Sequence, residues 1–280
     1  MPKNKITEHA VYALKGFTIG SLMTVPGVSG GTLAIILGIY DKLLSAVATL
    51  FSDFKKNIIF LFTVAISLLL GMVTLSRLIL LALELTPVPV SFFFIGAIAG
   101  SVPMLFKKTG LKKFSISCLI CAAVGIACVF LLDLIPDGIL EINGGFQISQ
   151  IPVFIVCGIA LAIAVIVPGV SFSHILMIFG IYERFYQALS SLDFIFLLSV
   201  GVPTAIALLA LIRLFDFLLK KYPSQSYSAI LGFVVASVKD IYVGLPSDVV
   251  MIIASVAALA VGFVAVLIVT GIFSKKQVVK

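Results

Sequence analysis

The chain has 280 residues, of which 61% are hydrophobic and only 11% charged, with a mean hydropathy of +1.28. A soluble domain carries about 25% charged residues, so this composition excludes a water-soluble globular protein. The net charge of +7 does not point to nucleic acid, because Lys and Arg accumulate in the cytoplasmic loops of membrane proteins.

The apolar runs have helical length and lack the roughly ten-residue alternation of an outer-membrane barrel. The expected class is an all-α integral membrane protein, a single membrane domain over 1–280. The opening MPKNKITEHAVYALKG has no clean apolar core and no small-residue cleavage site, so a removable signal peptide is not expected. Next come two short apolar segments, about 11–24 and 29–45, separated by Pro26-Gly27. Each spans about 20–25 Å, short of the roughly 30 Å hydrocarbon core. Two half-length helices joined at a Pro-Gly turn predict a re-entrant hairpin. Full-length segments follow at about 57–85, 89–106 and 114–136. A polar linker over 137–151 leads to a second Pro-Gly-interrupted hairpin and segments at 194–219, 226–243 and 249–273. The four cysteines all lie in apolar stretches, and the C-x-x-C spacing of Cys118 and Cys121 reads as buried packing thiols.

The second set of segments repeats the first. Val25 to Lys42 reads VPGVSGGTLAIILGIYDK and Val167 to Arg184 reads VPGVSFSHILMIFGIYER, identical at nine of eighteen positions. Gly16 matches Gly158 at the same offset. After a small shift, Arg77-Leu78 matches Arg213-Leu214, Gly96 matches Gly232, Ser101-Val102 matches Ser237-Val238, and Gly125 falls opposite Gly262. The units are 10–136 and 152–273, with a tail at 274–280. Three crossings per unit is an odd number, so the second unit must be inverted relative to the first.

The charges agree with that inversion. With both termini cytoplasmic, fifteen of the nineteen basic residues fall on the inside, as the positive-inside rule requires. Only Arg184 and Lys239 fall outside, and Arg77 and Arg213 lie within helices. The predicted topology is six crossings plus two re-entrant hairpins entering from opposite faces. Ten crossings, with every half-helix spanning, is the competing arrangement. Inverted repeats with broken helices are the architecture of secondary transporters, whose sites lie where the repeats meet.

The two P-G-V-S turns are the most specific local signal. Pro26-Gly27 stops one half-helix, Ser29 is placed to cap the next, and Gly30, Gly31 and Thr32 occupy its first turn. Unpaired N–H groups and hydroxyls at such a turn suit an anion; close helix packing is the competing use. The second copy offers Pro168, Gly169, Ser171, Ser173 and His174, with Phe172 in place of a glycine. Arg77 and Arg213 are costly inside a membrane unless they face a cavity or a partner. Snorkelling, or for Arg213 a pair with Asp216 three residues on, is the alternative. His174 could titrate near neutral pH or serve as a neutral hydrogen-bonding group. Tyr40-Asp41-Lys42 and Tyr182-Glu183-Arg184 read as interfacial anchors, and Gly96-x-x-x-Gly100 as a packing face. Asp133, Asp137 and Glu141 read as a solvated external rim. No Walker A motif and no metal-ligand cluster is visible, so no cofactor is expected.

With both P-G-V-S motifs in place, each followed by an L-G-x-Y-like segment, the chain resembles the PopT-type polyprenyl-phosphate transporters of bacteria. The resemblance covers essentially the whole chain. It implies a plasma-membrane flippase, not an enzyme, returning undecaprenyl phosphate from the outer to the inner leaflet for cell-wall synthesis. The implied partners are that anionic lipid and the surrounding membrane lipids, with no nucleic acid. The family's re-entrant motifs map onto Pro26, Gly27, Ser29, Gly30, Gly31 and Thr32, and onto Pro168, Gly169, Ser171, Ser173 and His174. Its membrane-embedded arginines correspond to Arg77 and Arg213. A carrier of a small soluble anion is one alternative. A phosphatase of undecaprenyl pyrophosphate is another, although no E-x-x-x-E occurs and Gly30 or Phe172 stands where its phosphate-clamping arginine would be.

Overall fold

The computed structural model describes residues 5–23, 28–110, 115–138, 150–191 and 193–277. Among them the chain forms thirteen helices and no strand. In the first half these are α1 (Lys5–Leu22), α2 (Gly30–Ile36), α3 (Tyr40–Ala48), α4 (Phe54–Leu85), α5 (Pro87–Thr109) and α6 (Ile116–Asp133). The second half contains α7 (Ile151–Ile166), α8 (Phe172–Ile178), α9 (Tyr182–Ser191), α10 (Phe194–Lys221), α11 (Pro223–Ala236), α12 (Val238–Ile241) and α13 (Val249–Gln277). Five helices, α4, α5, α6, α10 and α13, are long and apolar enough to cross a membrane. Their outward faces carry large apolar side chains such as Phe62, Leu69, Ile120, Ile206 and Ile253, which suits contact with lipid.

Two expected elements are broken. The segment expected at 29–45 is two helices, α2 and α3, bent by 114°. The break falls at Gly38, whose φ of +64° is a left-handed conformation that side chains disfavour. Gly180, its match in the second half, has φ +63° and separates α8 from α9 in the same way. The segment expected at 226–243 ends as a regular helix at Ala236, and Ser237 and the short α12 follow. Elsewhere helices start where a proline costs no hydrogen bond, at Pro87 and Pro223. Gly110, with φ +66°, closes α5.

Helices in lipid gain little from apolar burial against each other, so close backbone approach at small residues holds them. A Cβ added at Gly96 would lie 2.0 Å from the Leu259 carbonyl oxygen, and one at Gly262 would lie 2.1 Å from that of Phe93. These two glycines join α5 to α13. Their sequence matches do the same for α11 and α6: a Cβ added at Gly232 would lie 2.1 Å from the Ala122 oxygen, and one at Gly125 2.4 Å from that of Ala229. Gly100 extends the α5–α13 contact, since a Cβ added there would lie 2.7 Å from the Phe263 oxygen, so the Gly96-x-x-x-Gly100 face is a packing face. Gly16 brings α1 against α4, and Gly158 brings α7 against α10. Matched glycines therefore make matched contacts, and the α5–α13 and α6–α11 pairs each join one half to the other.

The buried interior forms two clusters. One surrounds α2 and α3, with Ile35, Ile39, Leu105 and Val234. The other surrounds α7 and α8, with Leu161, Leu176 and Ile181, and with Phe154 edge-on to Phe196 at 6.1 Å.

Candidate functional site

The start of α2 meets the second P-G-V-S turn. A Cβ added at Gly31 would lie 3.1 Å from Pro168 Cα, so the glycine lets the first tip rest on the second. Pro168 itself is fully buried. Gly169 has φ +90°, and a Cβ there would stand 2.5 Å from the Phe233 oxygen, which fixes the second tip against α11. Pro26 and Gly27 lie outside the described residues.

The turns are not equivalent. Ser171 caps α8 by accepting the His174 N–H at 3.4 Å. Ser29 occupies the matching position but makes no side-chain cap bond, contrary to the expectation from sequence. Ser29 and Thr32 are buried, and among the described residues the Thr32 hydroxyl has no hydrogen-bond partner. Gly30 is less constrained: a Cβ there meets only the Met23 and Ile19 side chains, at 3.7–3.9 Å. Both helices that start at the tips are only seven residues, about 10 Å long. They contribute hydroxyls and end N–H groups rather than a long helix dipole. Ser173 is half-buried on α8.

His174 lies 3.8 Å from the Asp133 carboxylate at the end of α6. Asp133 also pairs with Lys239, which stands 3.5 Å from Asp240 and over the Phe130 ring. Asp133 is thus part of an ion-paired cluster and not of a purely solvated rim; Glu141 lies outside the described residues. Arg184 pairs with Asp193 and stacks on Phe196. The two basic residues that depart from the expected charge distribution are therefore both matched by carboxylates. On Asp193, first the Phe196 N–H and then Arg184 hold the carboxyl below the usual carboxylate range.

The anchor reading fails for Tyr40. It is buried, and its hydroxyl donates to the Ile166 carbonyl at 2.6 Å. Neighbouring Asp41 instead pairs with Lys108 and accepts from the Tyr227 hydroxyl at 2.7 Å. Lys42 pairs with Glu8 at 3.1 Å and lies over the Tyr12 ring.

Arg213 lies away from the tips. It is exposed on α10 and lines an open cavity of about 470 Å³ with Thr49, Asp216, Phe217, Lys220 and Lys221. Asp216 does not pair with it. That carboxylate pairs with Lys220 at 2.6 Å and accepts from Ser45 at 3.1 Å. Among the described residues Arg213 has no carboxylate partner, so a groove with three cations holds a single acid. Helical spacing from Arg213 to Phe217 and Lys220 carried this signal, but the lysines read from sequence only as part of the cytoplasmic charge. Arg77 is on α4, and its side chain lies outside the described residues.

Among the described residues, five helices long and apolar enough to cross a membrane, with broken helices between them, mark a multi-pass helical membrane protein. The chain belongs to the VCA0040-like family, described as undecaprenyl phosphate translocase-like, whose model matches residues 19–252. It is similar to a polyprenyl-phosphate transporter of Staphylococcus aureus (strain NCTC 8325 / PS 47), 31% identical over 261 residues, 90% of this chain and 92% of the relative. A polyprenyl-phosphate transporter of Vibrio cholerae serotype O1 (strain ATCC 39315 / El Tor Inaba N16961) is 30% identical over 247 residues, 82% of this chain and 76% of the relative. No solved structure matches the chain.

Proposed function

We propose that the protein moves undecaprenyl phosphate from the outer to the inner leaflet of the bacterial plasma membrane, returning the carrier lipid for reuse. Its isoprenoid tail can stay in lipid, whereas its phosphate must cross hydrocarbon, where an uncompensated charge is costly. The observation that carries the reading is Arg213, a guanidinium on a long apolar helix with no acid of its own among the described residues, beside Lys220 and Lys221. An arginine so placed suits bidentate recognition of phosphate.

The two halves, 10–136 and 152–273, are inverted repeats joined by an external linker, with both termini cytoplasmic. The units α1–α3 and α7–α9 are re-entrant and meet at Gly31 and Pro168. The 114° bend between α2 and α3 supports a segment that turns back rather than spans. Transport follows alternating access. The headgroup is taken near Arg77, passes the tips formed by Ser29, Gly30, Gly31 and Thr32 and by Ser171, Ser173 and His174, and leaves near Arg213. No catalytic step is involved.

The test is a proteoliposome assay that resolves the two leaflets for polyprenyl phosphate. The expected result is protein-dependent movement of the phosphate headgroup, with the lipid recovered intact. Release of phosphate, or equal transport of short soluble anions without a lipid tail, would sink this reading.

A further inference from the structure

The basic groove accounts for the phosphate but leaves the first tip unexplained. Thr32 lines a second cavity of about 170 Å³, together with Thr18, Ser29, Phe94, Ala97 and Ser237. None of its lining residues is charged. The Thr18 and Ser237 hydroxyls are spent on the carbonyls of Leu14 and Val234. Thr32 is 3% exposed, and its hydroxyl has no partner among the described residues. Leaving a buried hydroxyl unpaired is unfavourable, which points to a partner that the folded chain does not supply.

The residues around this cavity differ from their matches in the second half. By the repeat matching, Ala97 corresponds to Phe233 and Thr32 to His174. Phe233 packs onto the second interior cluster, which includes Val170, Ile175 and Leu176. His174 engages Asp133. Where the second half places a phenyl ring and a paired imidazole, the first has a methyl group, an unpaired hydroxyl and a cavity.

The chemistry of the walls narrows the occupant. The walls carry no cation, so the charge of a phosphate has to stay outside them, and what the Thr32 hydroxyl can reach is the uncharged oxygen that joins phosphate and chain. A cavity of about 150 Å³ with apolar walls stays dry and accepts a six-carbon molecule such as benzene, so this one has room for a five-carbon unit. We propose that the cavity receives the phosphate-proximal isoprene unit of a prenyl phosphate, with the Thr32 hydroxyl donating to the oxygen on its terminal carbon. Threonine in a helix samples two side-chain rotamers, so that hydroxyl can turn toward the ligand. This rests on the transport reading for the identity of the lipid, but it is a claim about the prenyl chain and not about the phosphate.

Farnesol, a prenyl alcohol with no phosphate, separates the two claims. Its binding to the purified full-length protein in detergent is measured by calorimetry and by the shift in thermal unfolding midpoint. Wild type is expected to bind farnesol at least tenfold more tightly than straight-chain dodecanol. Thr32→Val, which keeps the side-chain shape, should weaken binding about 3- to 10-fold, the worth of one neutral hydrogen bond. Ala97→Phe should abolish it by filling the cavity, and Ala97→Leu serves if the phenylalanine variant does not fold. Absence of farnesol binding by wild type, or binding unchanged in Thr32→Val and in the Ala97 variants, overturns the assignment. Farnesol binding that follows this pattern in a protein that moves no polyprenyl phosphate supports the cavity and overturns the transport reading instead.

Discussion

The Tyr40 hydroxyl donates to the Ile166 carbonyl across 126 positions of sequence, at 2.6 Å. Ile166 is the last residue of α7, and its carbonyl is one of those that a helix end leaves without an internal partner. Tyr40 supplies that partner from the first half. Tyr182, its match in the second half, lies 4.9 Å from the Tyr186 ring. The two matched tyrosines therefore have different surroundings in one structure.

Tyr40→Phe should leave the Ile166 carbonyl buried and unpaired. The expected loss is about 1–3 kcal/mol of stability, read as a lower thermal unfolding midpoint in detergent. Tyr182→Phe should have a smaller effect. Equal effects for the two would show that the Tyr40 bond does not hold the tip.

Gly96→Ala places a methyl group against the Leu259 carbonyl oxygen, 2.0 Å away, and neither helix backbone can yield cheaply. Overpacking of this kind costs about 1–3 kcal/mol. Gly30→Ala meets only flexible side chains at 3.7–3.9 Å and should change stability by less than about 0.5 kcal/mol. Thermal midpoints of the two variants, measured side by side, check the contrast.

Arg213→Ala should lower headgroup transport in proteoliposomes at least tenfold, about 1.4 kcal/mol or more of lost interaction. Arg213→Lys keeps the charge without the planar fork and should fall between it and wild type. The exposed position of Arg213 predicts little change in stability for either. A transport rate equal to wild type in Arg213→Ala would remove the groove from the route.

Asp193 gives a pH dependence of defined sign. Its carboxyl is held low by the Phe196 N–H and by Arg184, so its contribution is present above about pH 4, the ordinary carboxylate value. It is lost as pH falls through the lower folded value. Asp193→Asn should be less stable than wild type at neutral pH, and the gap should close as the solution is acidified. Unfolding midpoints from pH 7 to pH 3 test this; a gap that widens on acidification would reverse the sign.

Much of this architecture was readable before any coordinates, for specific reasons. The membrane helices follow from apolar length, and the matched glycines from the near-constant offset between the halves. The break at Gly38 was missed because L-G-I-Y reads as an unbroken apolar run, and nothing local marks a glycine that adopts positive φ. The buried role of Tyr40 was missed for a related reason: its partner is a main-chain carbonyl, which has no sequence signature. Likewise, Lys220 and Lys221 were legible as charge but not as walls of a groove, because only the fold places Ala48 and Thr49 opposite them. The cavity beside Thr32 depends on Ala97 being small where Phe233 is large, a difference that means nothing until the helices are packed.

The crossed pairing of α5 with α13 and α6 with α11 bears on biogenesis. During synthesis α5 reaches the membrane long before α13 leaves the ribosome, so the groove made by Gly96 and Gly100 must wait for almost the last helix. A chain stopped before Val249 would insert its earlier helices yet leave that glycine face turned toward lipid or toward a wrong partner. Closure of that face on the first half therefore depends on a helix of the second.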